Sequence, residues 1–201
     1  MPTPPAVSAS LDDWLTYLEA LHPRGIAGIE LGLTRVAEVK ARLGQRETCP
    51  VILVTGTNGK GSVCAMLERI LRCAGYRVGL YTSPHLLRYN ERVRVNGAAA
   101  DDAQLIAGFA RVAAVRGEVA LTYFEFGTLA AWEVFAAAAL DVVILEVGLG
   151  GRLDATNIYM PSCTIVTTVD LDHREFLGPD REAIGFEKAG IFRSGVPAIC
   201  G

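Results

Sequence analysis

The sequence predicts an α/β fold, a mostly parallel sheet with helices on both faces. Three observations carry that expectation. Apolar runs at Val51–Thr55, 141–147 and 163–169 are continuous rather than alternating, as in strands buried on both faces. Segments of helical period separate them, which calls for right-handed crossovers between parallel strands. Each run also ends in a polar cluster: GTNGKGS after the first, TSPH after a run at 77–82, EVGLGGRLDATN after DVVIL, and DLDH after CTIVTTV. Ligands of such sheets bind beyond the C-terminal strand ends, so function is expected in these clusters.

Taken in order, residues 1–9, rich in proline and alanine, read as a frayed lead-in. Ser10 is placed to cap a helix with Leu11, Trp14, Leu15, Leu18 and Leu21 at helical spacing and Asp12 and Asp13 in its first turn. A turn around Pro23 and Gly25 leads to a second helix, with Val36, Val39 and Leu43 on one face and Gly44 at its end. Packing is the expected role of both helices. After the strand at Val51–Thr55, the run Val63 to Leu67 opens another helix, and Gly75 ends it. Strand 77–82 follows, then a half-exposed strand in which Val93 and Val95 alternate with arginines. Asp101 and Asp102 start a helix reaching about Val115, and a largely apolar, buried helix spans 124–139. The strand at 141–147 carries Glu146 at its end, and the strand at 163–169 runs into Asp170, Asp172 and His173. A helix over 181–189 and a strand over 196–200 close the sequence. Stopping directly after an apolar strand leaves a sheet edge unfinished, so a domain truncated at its C-terminal end is expected.

Composition limits the function classes. The 201 residues suit one sizeable domain, and 51% hydrophobic with 20% charged residues supports a large core rather than disorder. A net charge of −3 gives no electrostatic footprint for nucleic acid. The start lacks a signal-peptide pattern, and no run approaches the roughly 20 apolar residues of a membrane helix, so a cytoplasmic protein is expected. The five cysteines, Cys49, Cys64, Cys73, Cys163 and Cys200, form no CxxC pair and read as buried, reduced thiols.

The clearest chemistry lies in VILVTGTNGKGS. Strand, glycine–lysine loop and helix in that order make a P-loop. Gly56, Gly59 and Gly61 let backbone N–H groups turn inward, Lys60 supplies a mobile charge, and the helix N-terminus faces the same point. Its spacing departs from GxxxxGK[ST]: only Thr57 and Asn58 separate Gly56 from Gly59, and Gly61 displaces the hydroxyl to Ser62. A bound nucleoside triphosphate needs a hard cation with oxygen ligands, for which Glu146 and Ser83 are candidates. Each has a plainer alternative, an ion pair with Arg152 for Glu146 and a turn before Pro84 for Ser83. His173, Asp170 and Asp172 read more readily as structural residues than as ligands, and Lys188 reads as a solvated helix lysine. The glycine-rich stretch Gly148 to Asn157 suggests backbone approach to a ligand. TYFEF (122–126) suits a flat heteroaromatic ring, or else simply starts a helix with a packed aromatic face.

Together GTNGKGS, TSPHL with YNERVRVNG, LTYFEFGT, DVVILEVGLGGRLDATNI, and DH followed by LGPDREAIG and EKAGIFR resemble the bifunctional dihydrofolate synthase/folylpolyglutamate synthase family, a relative of the Mur cell-wall ligases, from about Trp14 to the last residue. The resemblance implies a P-loop NTPase-like, Mur-ligase central-type domain over residues 1–201, without the glutamate-binding C-terminal domain. It implies an ATP-dependent ligase that activates a pterin carboxylate as an acyl phosphate and joins it to L-glutamate. Alternatives are a nucleotide- and pterin-binding fragment without turnover, or another Mur-type amino-acid ligase. The ATP loop would comprise Thr57, Asn58, Gly59, Lys60, Gly61 and Ser62, and the magnesium ligands Ser83, Glu146 and His173, with two magnesium sites. Lys188 would be carried as a carbamate near the second metal, so that Lys60, Lys188 and His173 bear on catalysis. Ile29, Glu30 and Leu31, Thr122, Tyr123, Phe124 and Glu125, and Leu153, Asp154 and Ala155 would contact dihydropteroate or folate. Small-molecule partners only, and a monomer, are implied.

Overall fold

The computed structural model describes residues 2–22 and 29–201. Among these, seven strands form one sheet: β1 (Val51–Thr55), β2 (Val78–Tyr81), β3 (Val93–Val95), β4 (Ala98–Ala99), β5 (Val142–Glu146), β6 (Cys163–Val166) and β7 (Ala198–Cys200). Their order is β4-β3-β2-β5-β1-β6-β7. β2, β5, β1, β6 and β7 run parallel, and only the β2–β3 and β3–β4 pairs are antiparallel. The sheet is therefore mostly parallel, as the continuous apolar runs predict. β1 lies central, with Val54 level with Glu146 of β5 and Ile165 of β6, which brings the ends of three strands to one place.

Helices cover both faces. α1 (Leu11–Leu21), α2 (Thr34–Leu43), α4 (Asp102–Arg116) and α5 (Tyr123–Ala136) share one large core with the sheet, built on Trp14, Leu18, Leu53, Phe109, Phe126, Leu129 and Leu145. On the opposite face α3 (Lys60–Cys73) buries Cys64 against Val54, Val78, Leu80 and Ile144. The short α6 (Arg174–Leu177) and α7 (Arg181–Ala189) follow β6. Sequence sets the helix ends. Ser10, Asp101 and Thr122 each form a reciprocal capping box with the residue three positions on, and Gly44 closes α2 in the left-handed region at φ 68°. Gly108 lets α4 approach α5 closely, since a Cβ there would stand 2.7 Å from the Ala130 carbonyl oxygen.

Several expectations need correction. The end of the lead-in is tied down, because the Ala6 carbonyl accepts from the Trp14 indole at 3.3 Å and from Ala9 N at 2.9 Å. The turn around Pro23 and Gly25 lies outside the described residues. α3 begins at Lys60, not Val63, because Gly59 at φ 82° already turns the chain into the helix. The strands at 77–82, 163–169 and 196–200 are shorter than predicted; in the second, Thr167 and Thr168 are spent on the loop contacts described below. Of the cysteines only Cys64 is buried, while Cys73 and Cys200 are exposed, and all five are free. YNER forms a 3-10 turn, Tyr89–Arg92, ahead of β3. Among the described residues no helix is long and apolar enough to cross a membrane.

Candidate functional site

The glycine loop leaves β1 through Gly56 at φ 151°, where a Cβ would stand 1.8 Å from Thr167 Oγ1 and 3.1 Å from the Thr167 backbone nitrogen. No side chain fits there. Residues just beyond β6 grip the loop. Thr57 N donates to the Thr168 carbonyl at 2.9 Å, Asn58 N to Thr168 Oγ1 at 3.0 Å, and Thr167 Oγ1 to the Asn58 carbonyl at 2.6 Å. Thr57 Oγ1 donates to the Asp170 carbonyl at 3.1 Å and accepts from Asp170 N at 3.0 Å, so this hydroxyl is occupied with shaping the loop. Asn58, Gly59, Gly61 and Ser62 are exposed at the start of the 14-residue α3, where the first-turn N–H groups have no partner within the helix. Lys60 Nζ turns back to the Gly56 carbonyl at 2.9 Å. These residues make a concave anion-binding corner with a lysine folded into it.

Glu146 ends β5 beside this corner, 5% exposed. Its Oε2 accepts from Ser83 N at 3.0 Å, and its Oε1 faces Gly61, 3.7 Å from where a Cβ would be. Burial raises its pKa, opposed by the Ser83 N–H and the Lys60 charge. The alternative pairing of Glu146 with Arg152 is overturned, because Arg152 meets Glu187 at 3.4 Å and packs over Phe186. His173 precedes α6 with a left-handed backbone, φ 46°, a costly state for a non-glycine residue and one that recurs at ligand sites. Its ring is about half exposed, 3.7 Å from Asp172, and lines the same cavity as Ser83. Asp170 is held by Arg181 at 2.7 Å, which draws its pKa down. Among the described residues no cluster of three or more His, Cys, Asp or Glu is arranged to hold a metal, so a cation here would depend on mixed hydroxyl and carboxylate oxygens around Ser83 and Glu146.

Next to Ser83 opens a cavity of about 290 Å³. Its walls come from residues 29–32, Ser83 and Pro84, Arg92, 122–125, 148–149, 153–155 and His173, so all ten expected substrate contacts meet there. Helix capping builds one wall. Thr122 N donates to Glu125 Oε2 at 2.7 Å and Glu125 N to Thr122 Oγ1 at 3.2 Å, so TYFEF both starts α5 and faces the cavity. Arg35 ties that wall to the next, holding Glu125 at 3.1 Å together with the Glu30 carboxylate and, at 3.0 Å, the Glu30 carbonyl. His22 meets Glu30 at 3.0 Å, and His22 with Arg35 holds the Glu30 carboxyl below its ordinary pKa. Asp154 is buried and accepts from Leu149 N at 2.9 Å, Thr156 N at 2.9 Å and Thr156 Oγ1 at 2.6 Å, while burial pushes its pKa up.

Lys188 is 3% exposed, which overturns the solvated-lysine alternative. Burial, with Lys60 nearby, lowers its pKa to about 8 against the pull of Asp172. Sequence reasoning passed over Arg92, Arg35, Thr167 and Thr168. Arg92 stood in the half-exposed arginine alternation, but the threonines read only as strand formers and gave no separate signal.

Residues 54–199 match the family model described as Mur ligase middle domain. The dihydrofolate synthase/folylpolyglutamate synthase of Escherichia coli K12 is 57% identical over 198 residues, covering 98% of this chain and 46% of that protein. A structure of E. coli FolC in complex with DHPP and ADP superposes with a TM-score of 0.94 at 56% identity, covering 98% of this chain and 47% of its own. A bifunctional folylpolyglutamate synthase/dihydrofolate synthase with Mn, AMPPNP and L-glutamate bound superposes with a TM-score of 0.91 at 53% identity, covering 98% and 48%. The chain thus spans about half the length of the curated relatives it matches. By the match to its middle domain over most of these residues, the chain belongs to the Mur ligase family.

Proposed function

We propose that the chain carries the nucleotide- and pterin-binding half of an ATP-dependent amide ligase, which joins L-glutamate to 7,8-dihydropteroate and to folate polyglutamates through an acyl phosphate. The observation that carries this reading is the meeting, at Ser83, of a glycine–lysine anion corner and an aromatic cavity large enough for a flat ring system. Two anions, a carboxylate and the terminal phosphate of ATP, must approach in line, and their repulsion is the main obstacle. Lys60 and the loop N–H groups hold the phosphates, and the cavity walls orient the ring. The Glu146 carboxylate and the Ser83 hydroxyl would hold magnesium, with the His173 ring, on the wall of the same cavity, as a third donor. Oxygen-rich donors with a buried, underpartnered carboxylate fit a hard cation. Magnesium, when bound, neutralises phosphate charge.

No side-chain nucleophile is required, since the substrate carboxylate attacks. Lys188, with its lowered pKa, has a neutral amine accessible near neutral pH. Addition of that amine to carbon dioxide with loss of a proton would give a carbamate, turning a buried cation into an anion facing Lys60. The cytoplasmic location and monomeric state expected from the sequence belong to this same reading.

Calorimetric titration of dihydropteroate and of ATP, with and without magnesium, tests it on the wild-type chain and on Glu146→Ala. The expected result is dihydropteroate binding to both chains, and magnesium-dependent ATP binding weakened about tenfold or more in Glu146→Ala. Preference for a muramyl precursor over dihydropteroate would instead assign another Mur-type ligase.

A further inference from the structure

The cavity beside Ser83 holds a charge that the reactions above do not employ. Arg92 is the one fixed cation among the described residues lining it. Its carbonyl accepts from Thr82 N at 2.9 Å, which anchors it level with the residue before Ser83. Its Nε donates to His85 Nδ1 at 2.8 Å, and its guanidinium carbon lies 5.4 Å from the Tyr89 ring centre and 5.6 Å from that of Tyr123. These contacts fix the plane of the fork. Among the described residues no carboxylate pairs with either terminal nitrogen, and the guanidinium's further polar neighbour is the buried Tyr81 hydroxyl. Arg35, Arg77, Arg94, Arg152 and Arg181, by contrast, each hold a carboxylate.

A half-buried guanidinium lacking a counterion is a receptor for an anion, and its planar pair of donors matches a carboxylate or a phosphate; with the phosphates assigned to the glycine loop, the carboxylate falls to Arg92. Much of the remaining cavity wall is apolar or aromatic, from Leu31, Pro84, Tyr123, Phe124 and Leu149. We infer that Arg92 receives the carboxylate of the aromatic substrate and presents it at the Ser83 end of the cavity, facing the glycine loop. This rests on the pterin reading and adds to it the group that orients the attacking oxygen. No bond to Arg92 forms or breaks. The fork holds both carboxylate oxygens in one plane, the oxygen nearer the loop keeps a lone pair with which to attack phosphorus, and the guanidinium offsets the charge that would repel the phosphate.

The test titrates dihydropteroate and its carboxamide, which lacks the negative charge, into wild type, Arg92→Ala and Arg92→Lys without nucleotide. Wild type should bind the acid about tenfold or more tighter than the amide, the usual difference for a charge-assisted contact. Arg92→Ala should erase that preference by weakening the acid alone, and Arg92→Lys should retain only part of it. Should Arg92→Ala fail to fold, the reduced preference of Arg92→Lys decides. Equal weakening of both compounds, or no preference in wild type, overturns the assignment and leaves the pterin cavity standing. Failure of wild type to bind either compound overturns the cavity reading, and the role of Arg92 with it.

Discussion

The glycine loop and the aromatic cavity adjoin at Ser83 yet are held by different physics. The loop is shaped by short hydrogen bonds from one neighbouring segment, Thr167 to Asp170, and by a glycine with no room for a side chain. The cavity is assembled from six or more chain segments, and its walls are tied by charge, chiefly Arg35 with Glu30 and Glu125. A locally braced loop is pre-organised and brittle. Walls joined by ion pairs can give by small movements and lose affinity in degrees. The two sites should therefore fail separately, and differently.

The sharpest break is Gly56→Ala. A Cβ 1.8 Å from Thr167 Oγ1, on a backbone at φ 151°, forces the loop off its threonine braces. Strain and overpacking together should cost about 3 kcal/mol or more in chemical denaturation. Nucleotide binding should vanish while dihydropteroate binding to the folded fraction persists. Unimpaired nucleotide binding would show that the loop is not braced as described.

Lys188 joins the two regions, since its charge feels Lys60 of the loop and Asp172 beside His173. Its folded pKa of about 8 lies below the unfolded lysine value, so the unfolded chain binds more protons between the two values. Stability should then rise with pH from about 8 towards 10, by about 2 kcal/mol, and the penalty should be fully present below 8. Urea denaturation at pH 7.5, 8.5 and 9.5 in carbon-dioxide-free buffer, against Lys188→Met as reference, reads this directly. A difference between the two chains that does not change with pH would mean Lys188 keeps its proton throughout.

The same contrast decides what was legible in the sequence. The loop could be read because a phosphate corner needs glycine, lysine and a helix start in fixed succession, and local spacing records that. Composition pointed to TYFEF and to 148–157 as candidate ligand contacts, but only the family resemblance made substrate contacts of 122–125 and 153–155, since TYFEF equally well starts a helix, which it also does. Arg35 and Arg92 were missed for a physical reason. Arg35 reaches across the fold to a residue 90 positions away, which no local pattern records, and Arg92, though its partner His85 is only 7 positions off, was hidden in a run of alternating arginines. The expected strand at 163–169 erred likewise: Thr167 and Thr168 favour strands by type but are spent on the loop.

Arg35→Ala probes the cavity side, where binding is lost by degrees rather than outright. Removing the guanidinium leaves Glu125, whose side chain is 5% exposed, with only its Thr122 N–H bond among the described residues, and frees the segment at Glu30 from the start of α5. Breaking a largely buried pair from one side is costly because a charge stays behind. The remaining capping bond and the partial exposure of Arg35 reduce that cost to about 2 kcal/mol. Adding Glu125→Gln should recover part of it by removing the stranded charge, so the double variant should be more stable than Arg35→Ala alone. Dihydropteroate binding should weaken severalfold in Arg35→Ala, while magnesium-dependent ATP binding holds, because no brace of the loop passes through Arg35. Parallel loss of both ligands would mean that the walls and the loop move as one body, and that the separation drawn between them is wrong.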